Sequence, residues 1–151
     1  MKQKISAKTD VVITYQQPFD VLIQFMNQMN QWEKQCWIDH KKALANHEGI
    51  ILKQKRDLAR MNEIFAKYCT NKKRVKNGVG VFSFPPEYDP HNETILETVF
   101  ESNSRAVIYT QHKVGFRLHF KYVLLRKGKH WLIDNKQSRV NSNQKWKRRI
   151  L

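Results

Sequence analysis

The chain has 151 residues and carries 28 Lys and Arg against 13 Asp and Glu, which gives a formal net charge of +15. Hydrophobic residues make up 40% of it and aromatic residues 11%, which is too much apolar character for an intrinsically disordered protein. No apolar run approaches the roughly eighteen residues that span a bilayer, and the N-terminus has no apolar signal core. We therefore expect a folded cytoplasmic protein with no membrane partner, and the basic balance favours an acidic partner.

The two cysteines, Cys36 and Cys69, lie in helix-like segments without CxxC or Cys/His metal spacing. This pattern predicts buried thiols and does not indicate a disulfide. A chain of this length can bury one hydrophobic core without disulfides or a structural metal ion. We assign no structure to residues 1–17 and predict one domain over residues 18–151.

Two amphipathic helices are predicted first. Pro18 opens the first helix, where its missing N–H costs nothing, and the helix extends to about residue 45. Residues 46–49 interrupt the pattern, and a second helix follows over residues 51–71. In both segments apolar residues recur every three or four positions, which is typical of a helix with one buried side.

The period then changes to two, which indicates β-strands. Alternating segments cover residues 79–84, 94–101 and 105–114, and the first ends at two prolines, which cannot donate to a sheet. A hairpin follows over residues 116–134, and its second strand is the short segment WLID. Two helices followed by about five strands predict an α+β fold in which the helices cover one face of an antiparallel sheet.

The hairpin has two unlike faces, because side chains alternate along a strand. One face is apolar and should line the core; it holds Phe116, Leu118, Phe120, Tyr122 and Leu124. The other face is cationic; it holds Arg117, His119 and Lys121.

Candidates for chemistry are few. Asp134 is the one acid in residues 102–151, which hold thirteen basic side chains. If Trp131 and Ile133 face the core, Asp134 is left to solvent or to a neighbouring base, and we expect that structural role. No Asp or Glu lies near His112 or His119 in the sequence, and no metal-ligand spacing, phosphate-binding loop or nucleophile motif occurs. We therefore predict no catalytic residue, no metal and no cofactor.

Basic residues also cluster after the second helix, in the hairpin turn and around Trp146. One such run is usually only a solvated surface, but three of them and a cationic sheet face together favour partner binding. Trp146 has an alternative role, because it could fold back and cap the core. The predicted partner-binding residues are Arg117, His119, Lys121, Arg126, Lys127, Lys129, Trp146 and Arg148.

Five segments in order suggest a family: QWEKQCW, KYCTNKKR, FPPEYDP, FKYVLLRKGKHWLID and NQKWKRRIL. Together, over residues 18–151, they resemble bacterial immunity proteins of the nuclear transport factor 2-like fold. The resemblance implies a cone-shaped domain in which helices lie against the concave side of a curved sheet and leave a cavity. The cavity-lining candidates are Trp32, Phe120, Tyr122 and Trp131.

The resemblance also implies function. Immunity proteins of this kind are encoded beside a polymorphic toxin, bind it and protect the producing cell without catalysis. The basic charge predicts a toxin that is acidic on the contacted face, and a homodimer through the sheet stays open. Two other functions stay open as well: a basic nucleic-acid-binding protein, although no recognition motif supports it, and a small-molecule enzyme or ligand carrier that uses the cavity.

Overall fold

The computed structural model describes residues 16–47, 49–72, 74, 82–83, 85–149 and 151. Helix α1 covers Pro18–Asn46 and helix α2 covers Ile50–Tyr68. The Asp20 carboxylate caps the start of α1, where it accepts a hydrogen bond of 3.1 Å from the backbone N–H of Gln17. Both predicted helices are confirmed, although α2 ends three residues before the predicted position.

A five-stranded antiparallel sheet follows the helices, in the spatial order β1-β2-β3-β4-β5. Its strands are Glu93–Ser102, Arg105–His112, His119–Lys127, His130–Arg139 and Lys147–Arg149. A short 3-10 turn at Pro90–Asn92 leads into β1. The sheet is curved and the helices pack on one of its faces, so the predicted α+β fold is confirmed.

The core lies between the helices and what we call the inner face of the sheet. Phe120, Tyr122 and Leu124 of β3 are completely buried there, as are Leu22 and Phe25 of α1. Each such side chain contributes roughly 1.5–3 kcal/mol through the apolar area it removes from water. The cysteines are also buried and unbridged, as predicted.

One expectation for the apolar face of the hairpin is wrong. Phe116 was expected in the core, but its side chain is 87% exposed. The alternation cannot continue back to Phe116, because β3 begins only at His119 and the preceding chain turns. Gly115 and Arg117 both adopt positive φ there, at 66° and 51°, which no extended strand allows.

The C-terminal part contains more sheet than the sequence predicts. Strand β4 runs through ten residues, well beyond WLID, and the basic tail contributes β5. A bulge at the β3–β4 pairing, between Val123 and Leu124, interrupts the alternation and hides the length of β4. The predicted strand at residues 79–84 falls largely outside the described residues, as do residues 1–15 of the N-terminal segment.

Candidate protein-binding surface

The outer face of the sheet, opposite the helices, carries a cationic patch. Tyr109 of β2 pairs with Lys121 of β3, Lys121 with Gln137 of β4, and Gln137 with Arg148 of β5. Directly paired residues point to the same face, so this row crosses four strands. We call the outer patch the set His119, Lys121, Tyr109, Gln137, Arg139, Trp146 and Arg148.

Trp146 lies on this face and not over the core. Its ring is 6.0 Å from the ring of Tyr109, and the guanidinium carbon of Arg139 lies 4.1 Å from its centroid. The three side chains form a cluster in which the tyrosine and tryptophan rings are tilted by 44° and the cation lies over the tryptophan ring. The sequence indicated Trp146 as an anchor but gave no sign of its two neighbours, because their contact depends on the register of three strands.

The cations of the outer patch have no acidic partners. Among the described residues, Lys121, Arg139 and Arg148 form no ion pair and donate no hydrogen bond to another side chain. Glu97 of β1 lies opposite Tyr109, at the border of the patch. Farther along the same face Val107 and Val123 are buried, so the accessible patch is confined to the end near Trp146.

The predicted partner-binding residues fall into two groups. The first group lies at one end of the sheet and comprises His119, Lys121, Trp146 and Arg148, together with Arg117 in the turn before β3. The second group comprises Arg126, Lys127 and Lys129.

That second group lies at the β3–β4 turn. Lys127 comes six positions after Lys121 on β3, which corresponds to about 20 Å. Arg126 uses its Nε to close the turn, where it donates to the carbonyl of Gly128 at 2.9 Å. One compact partner residue cannot contact both groups.

The inner face carries a buried polar network that the sequence did not reveal. Glu93 accepts hydrogen bonds from the hydroxyl groups of Thr110 and Tyr122, and its other oxygen is 3.5 Å from Nε2 of His112. The Glu93 side chain is only 2% exposed. No acid lies near His112 in the sequence, but strand pairing brings Glu93 across from it.

A second part of this network surrounds Lys136, which is 1% exposed. Its Nζ donates to a carboxylate oxygen of Glu87 at 3.1 Å and lies 4.3 Å from the ring centroid of Tyr88 and 4.5 Å from that of Phe120. Burial lowers the pKa of Lys136, and the charges of Glu87 and Glu93 act against that shift. The ammonium is thus held by a carboxylate and by aromatic faces, as a buried charge requires.

Helix α1 ties the loop before β1 to this network. Asn30 donates to the backbone carbonyl of Tyr88 at 2.8 Å, and the Glu33 carboxylate accepts from the Tyr88 N–H at 3.3 Å. Burial raises the pKa of Glu33 to about 7. The contacts of Asn30 and Glu33 hold the loop before β1 against helix α1.

The cavity candidates occupy different depths. Phe120 and Tyr122 are fully buried in the core, and Trp32 is 5% exposed and donates through its ring N–H to the carbonyl of Asp57 at 2.9 Å. Trp131 packs against Phe100 at 6.0 Å and borders surface grooves that Lys127 and Lys129 also line.

Asp134 has the structural role that the sequence indicated. Trp131 and Ile133 are buried, and the Asp134 carboxylate accepts from the hydroxyl of Thr70 at 2.8 Å and pairs with Lys72 at 3.3 Å. Burial acts to raise the pKa of Asp134, but the hydrogen bonds from Thr70 and Lys72 lower it below the usual value. In the described parts of the chain, no three His, Cys, Asp or Glu side chains are grouped to hold a metal ion.

Two helices packed on a curved antiparallel sheet place this chain in the nuclear transport factor 2-like class. A family model described as "NTF2 fold immunity protein" matches residues 17–149, so the chain belongs to that family. Immunity protein RhsIA of Dickeya dadantii (strain 3937) is 30% identical over 128 residues, which cover 83% of this chain and 90% of that protein. A comparison with solved structures gave no significant match.

Family membership gives the general function. The chain is a bacterial immunity protein that neutralises a toxin, and the family implies binding of the cognate toxin. The resemblance seen in the sequence is confirmed. Among the described residues, neither helix is long and apolar enough to cross a bilayer.

Proposed function

We propose that this protein neutralises its toxin in the cytoplasm by covering it with the outer patch, without catalysis. One observation carries the proposal: the cations of the outer patch form no ion pair within the described residues, whereas the buried charges of the inner face are paired. Arg, Trp and Tyr are the residue types that most often anchor protein interfaces. The patch combines all three on a rigid four-strand surface, with Arg117 at its edge.

The contacted face of the toxin should be acidic. The net charge of +15 and the lack of acids among the central residues of the patch create a positive field. Such a field speeds the encounter with an acidic surface, and burial of Trp146 and the arginines would then slow dissociation. Affinity for the toxin should therefore fall with added salt mainly through slower association.

We propose that residues 18–151 act as one domain. One continuous core cluster joins both helices to the sheet, which supports that division. A homodimer through the outer face would compete with the toxin for the same surface. Light scattering with and without the toxin would show whether a dimer dissociates when the toxin binds.

The proposal is tested by co-expression with the toxin domain that the neighbouring gene encodes. We expect the protein to restore growth and to co-purify with that domain in a stable complex. Absence of both rescue and complex would contradict the proposal.

Salt distinguishes the toxin complex from nucleic-acid binding. Affinity for any nucleic acid should fall steeply and without sequence preference as salt rises. The toxin complex should survive moderate salt and should not form with an unrelated acidic protein. Tight binding to random duplex DNA at 150 mM salt would favour the nucleic-acid alternative.

Catalysis is tested at His112. This side chain is 25% exposed and is the accessible end of the Glu93 network. His112→Ala should protect cells against the toxin as well as the wild type does. Loss of protection by a variant that still folds and still binds the toxin would indicate an enzymatic contribution.

A further inference from the structure

Arg139 is the most unusual cation of the outer patch, and the sequence did not single it out. Its guanidinium carbon lies 4.1 Å from the ring centroid of Trp146. Its Nε is buried and has no hydrogen-bond partner. Its terminal nitrogens also form no hydrogen bond or ion pair within the described residues. Unlike the Nε, they are accessible to solvent.

The surroundings hold Arg139 in this position. Ser138 of β4 pairs with Lys147 of β5. Arg139 follows Ser138 and Trp146 precedes Lys147, so Arg139 and Trp146 face each other at the base of the β4–β5 connection. Hydrogen bonds within the connection keep it closed. The side chain of Gln144 accepts from Val140 N–H at 3.0 Å, and that of Asn141 accepts from Asn143 N–H at 2.9 Å.

The side chains next to Arg139 on the outer face are basic. His119 lies directly opposite it on β3, and Lys121 is two positions farther along that strand. A guanidinium that is stacked, partly buried and unpaired beside a histidine and a lysine lacks the anion that would normally satisfy it. A planar guanidinium matches a carboxylate in geometry, because two parallel N–H groups can donate to its two oxygens.

We propose that Arg139 is the carboxylate receptor of the outer patch. The terminal nitrogens of Arg139 donate two hydrogen bonds to one Asp or Glu side chain of the toxin, and Trp146 supports the guanidinium from behind. This inference rests on the proposed function, since it requires the toxin to bind the outer face. It adds the chemical identity of the group that is recognised and the residue that recognises it.

The test compares two substitutions that preserve charge. Arg139→Lys keeps the positive charge but removes the fork and the stacked plane, and Arg105→Lys makes the same change at an exposed arginine outside the outer patch. Titration against the toxin domain should give roughly 10- to 100-fold weaker binding for Arg139→Lys and less than about 3-fold for Arg105→Lys. Equal effects of the two substitutions, or a loss below about 3-fold for Arg139→Lys, would overturn the proposal.

A measurement on the wild type keeps the test valid if Arg139→Lys fails to fold. In protein labelled with ¹⁵N at arginine, saturation with the toxin domain should slow the rotation of the Arg139 guanidinium and shift its N–H resonances. Unchanged Arg139 resonances in the saturated complex would overturn the inference.

The failure of this inference is distinguishable from that of the proposed function. If Lys121→Glu weakens toxin binding while Arg139→Lys does not, the outer patch binds the toxin but Arg139 is not its carboxylate receptor. If neither substitution weakens binding, the toxin does not use the outer patch.

Discussion

The two faces of the sheet carry the same kinds of charged residue and use them differently. On the inner face Lys136 and Glu93 are almost inaccessible, and each has partners at hydrogen-bonding or aromatic contact distance. On the outer face Lys121, Arg139 and Arg148 form no ion pair within the described chain, and Arg139 has only the ring of Trp146 as a partner. A buried charge must be paired to be tolerated, whereas a charge at the surface can stay unpaired at little cost. Loss of one partner on the inner face should therefore destabilise the fold, whereas the charges of the outer face are available for binding.

Among the charged residues of the two faces, the largest effect is expected at Lys136. Lys136→Ala removes the cation that compensates Glu87 and leaves a cavity among three aromatic rings. The free energy of unfolding should fall by about 3 kcal/mol. Lys147→Ala, at an exposed lysine of β5, is the control and should change it by less than about 0.5 kcal/mol. Denaturant titration measures both, and equal small losses would show that the inner network does not stabilise the fold.

Trp146 gives the opposite pattern. Trp146→Ala should weaken toxin binding by about 2 kcal/mol, because it removes an aromatic anchor and the support of Arg139. The free energy of unfolding should change by less than about 1 kcal/mol, since the ring is only half-buried. Trp37→Ala, at a half-buried tryptophan of α1, should leave affinity unchanged. If Trp146→Ala destabilised the protein as much as Lys136→Ala does, the comparison between the faces would fail.

The pH dependence of stability tests the inner face separately. The pKa of Glu33 is about 7 in the folded protein against 4.5 for the free group, so the folded state holds a proton that the unfolded state has lost between these values. The contribution of Glu33 to stability is complete below about pH 4.5 and falls as the pH rises to about 7. Relative to Glu33→Gln, the wild type should lose about 2–3 kcal/mol between pH 5 and pH 8. Parallel stability curves for the two proteins would contradict this shift.

The smallest effect is expected at Phe116. Because its side chain is 87% exposed, Phe116→Ser should change the free energy of unfolding by less than about 0.5 kcal/mol. Phe120→Ala, at the buried aromatic residue four positions later, should cost about 3–5 kcal/mol. Thermal and denaturant unfolding of the pair would show where the core face of β3 begins. A large loss for Phe116→Ser would mean that the ring packs against the protein in solution.

The spacing of apolar residues correctly predicted the features that depend on neighbours along the chain. Periodicity gave both helices and the burial of Phe120 and Tyr122, because neighbours along the chain determine which face a side chain occupies. It failed at Phe116, where Gly115 and a positive φ at Arg117 end the strand. The bulge between Val123 and Leu124 likewise concealed the length of β4.

Contacts between distant segments of the chain could not be predicted from the sequence. Glu93 reaches Tyr122 from 29 positions away, and Trp146 meets Tyr109 only because β5 returns beside β4. Residue types suggested Trp146 and Arg148 as anchors. Arg139 was missed because its role in binding depends on its contact with Trp146, which the sequence alone does not show. A search for arginines near strand ends that face a tryptophan across a hairpin could have found it.

The central claim is that the outer patch binds the toxin, and isothermal titration of the neighbouring toxin domain tests it most directly. Three double variants carry the same change in charge: Lys121→Glu with Arg148→Glu on the outer patch, Lys127→Glu with Lys129→Glu at the β3–β4 turn, and Lys42→Glu with Lys55→Glu on the helices. All six side chains are exposed or half-buried, so each variant should fold. We expect the outer-patch variant to lose at least about 100-fold in affinity, and the helical variant to lose less than about 5-fold. Equal losses in all three, or the largest loss in the helical variant, would contradict the claim.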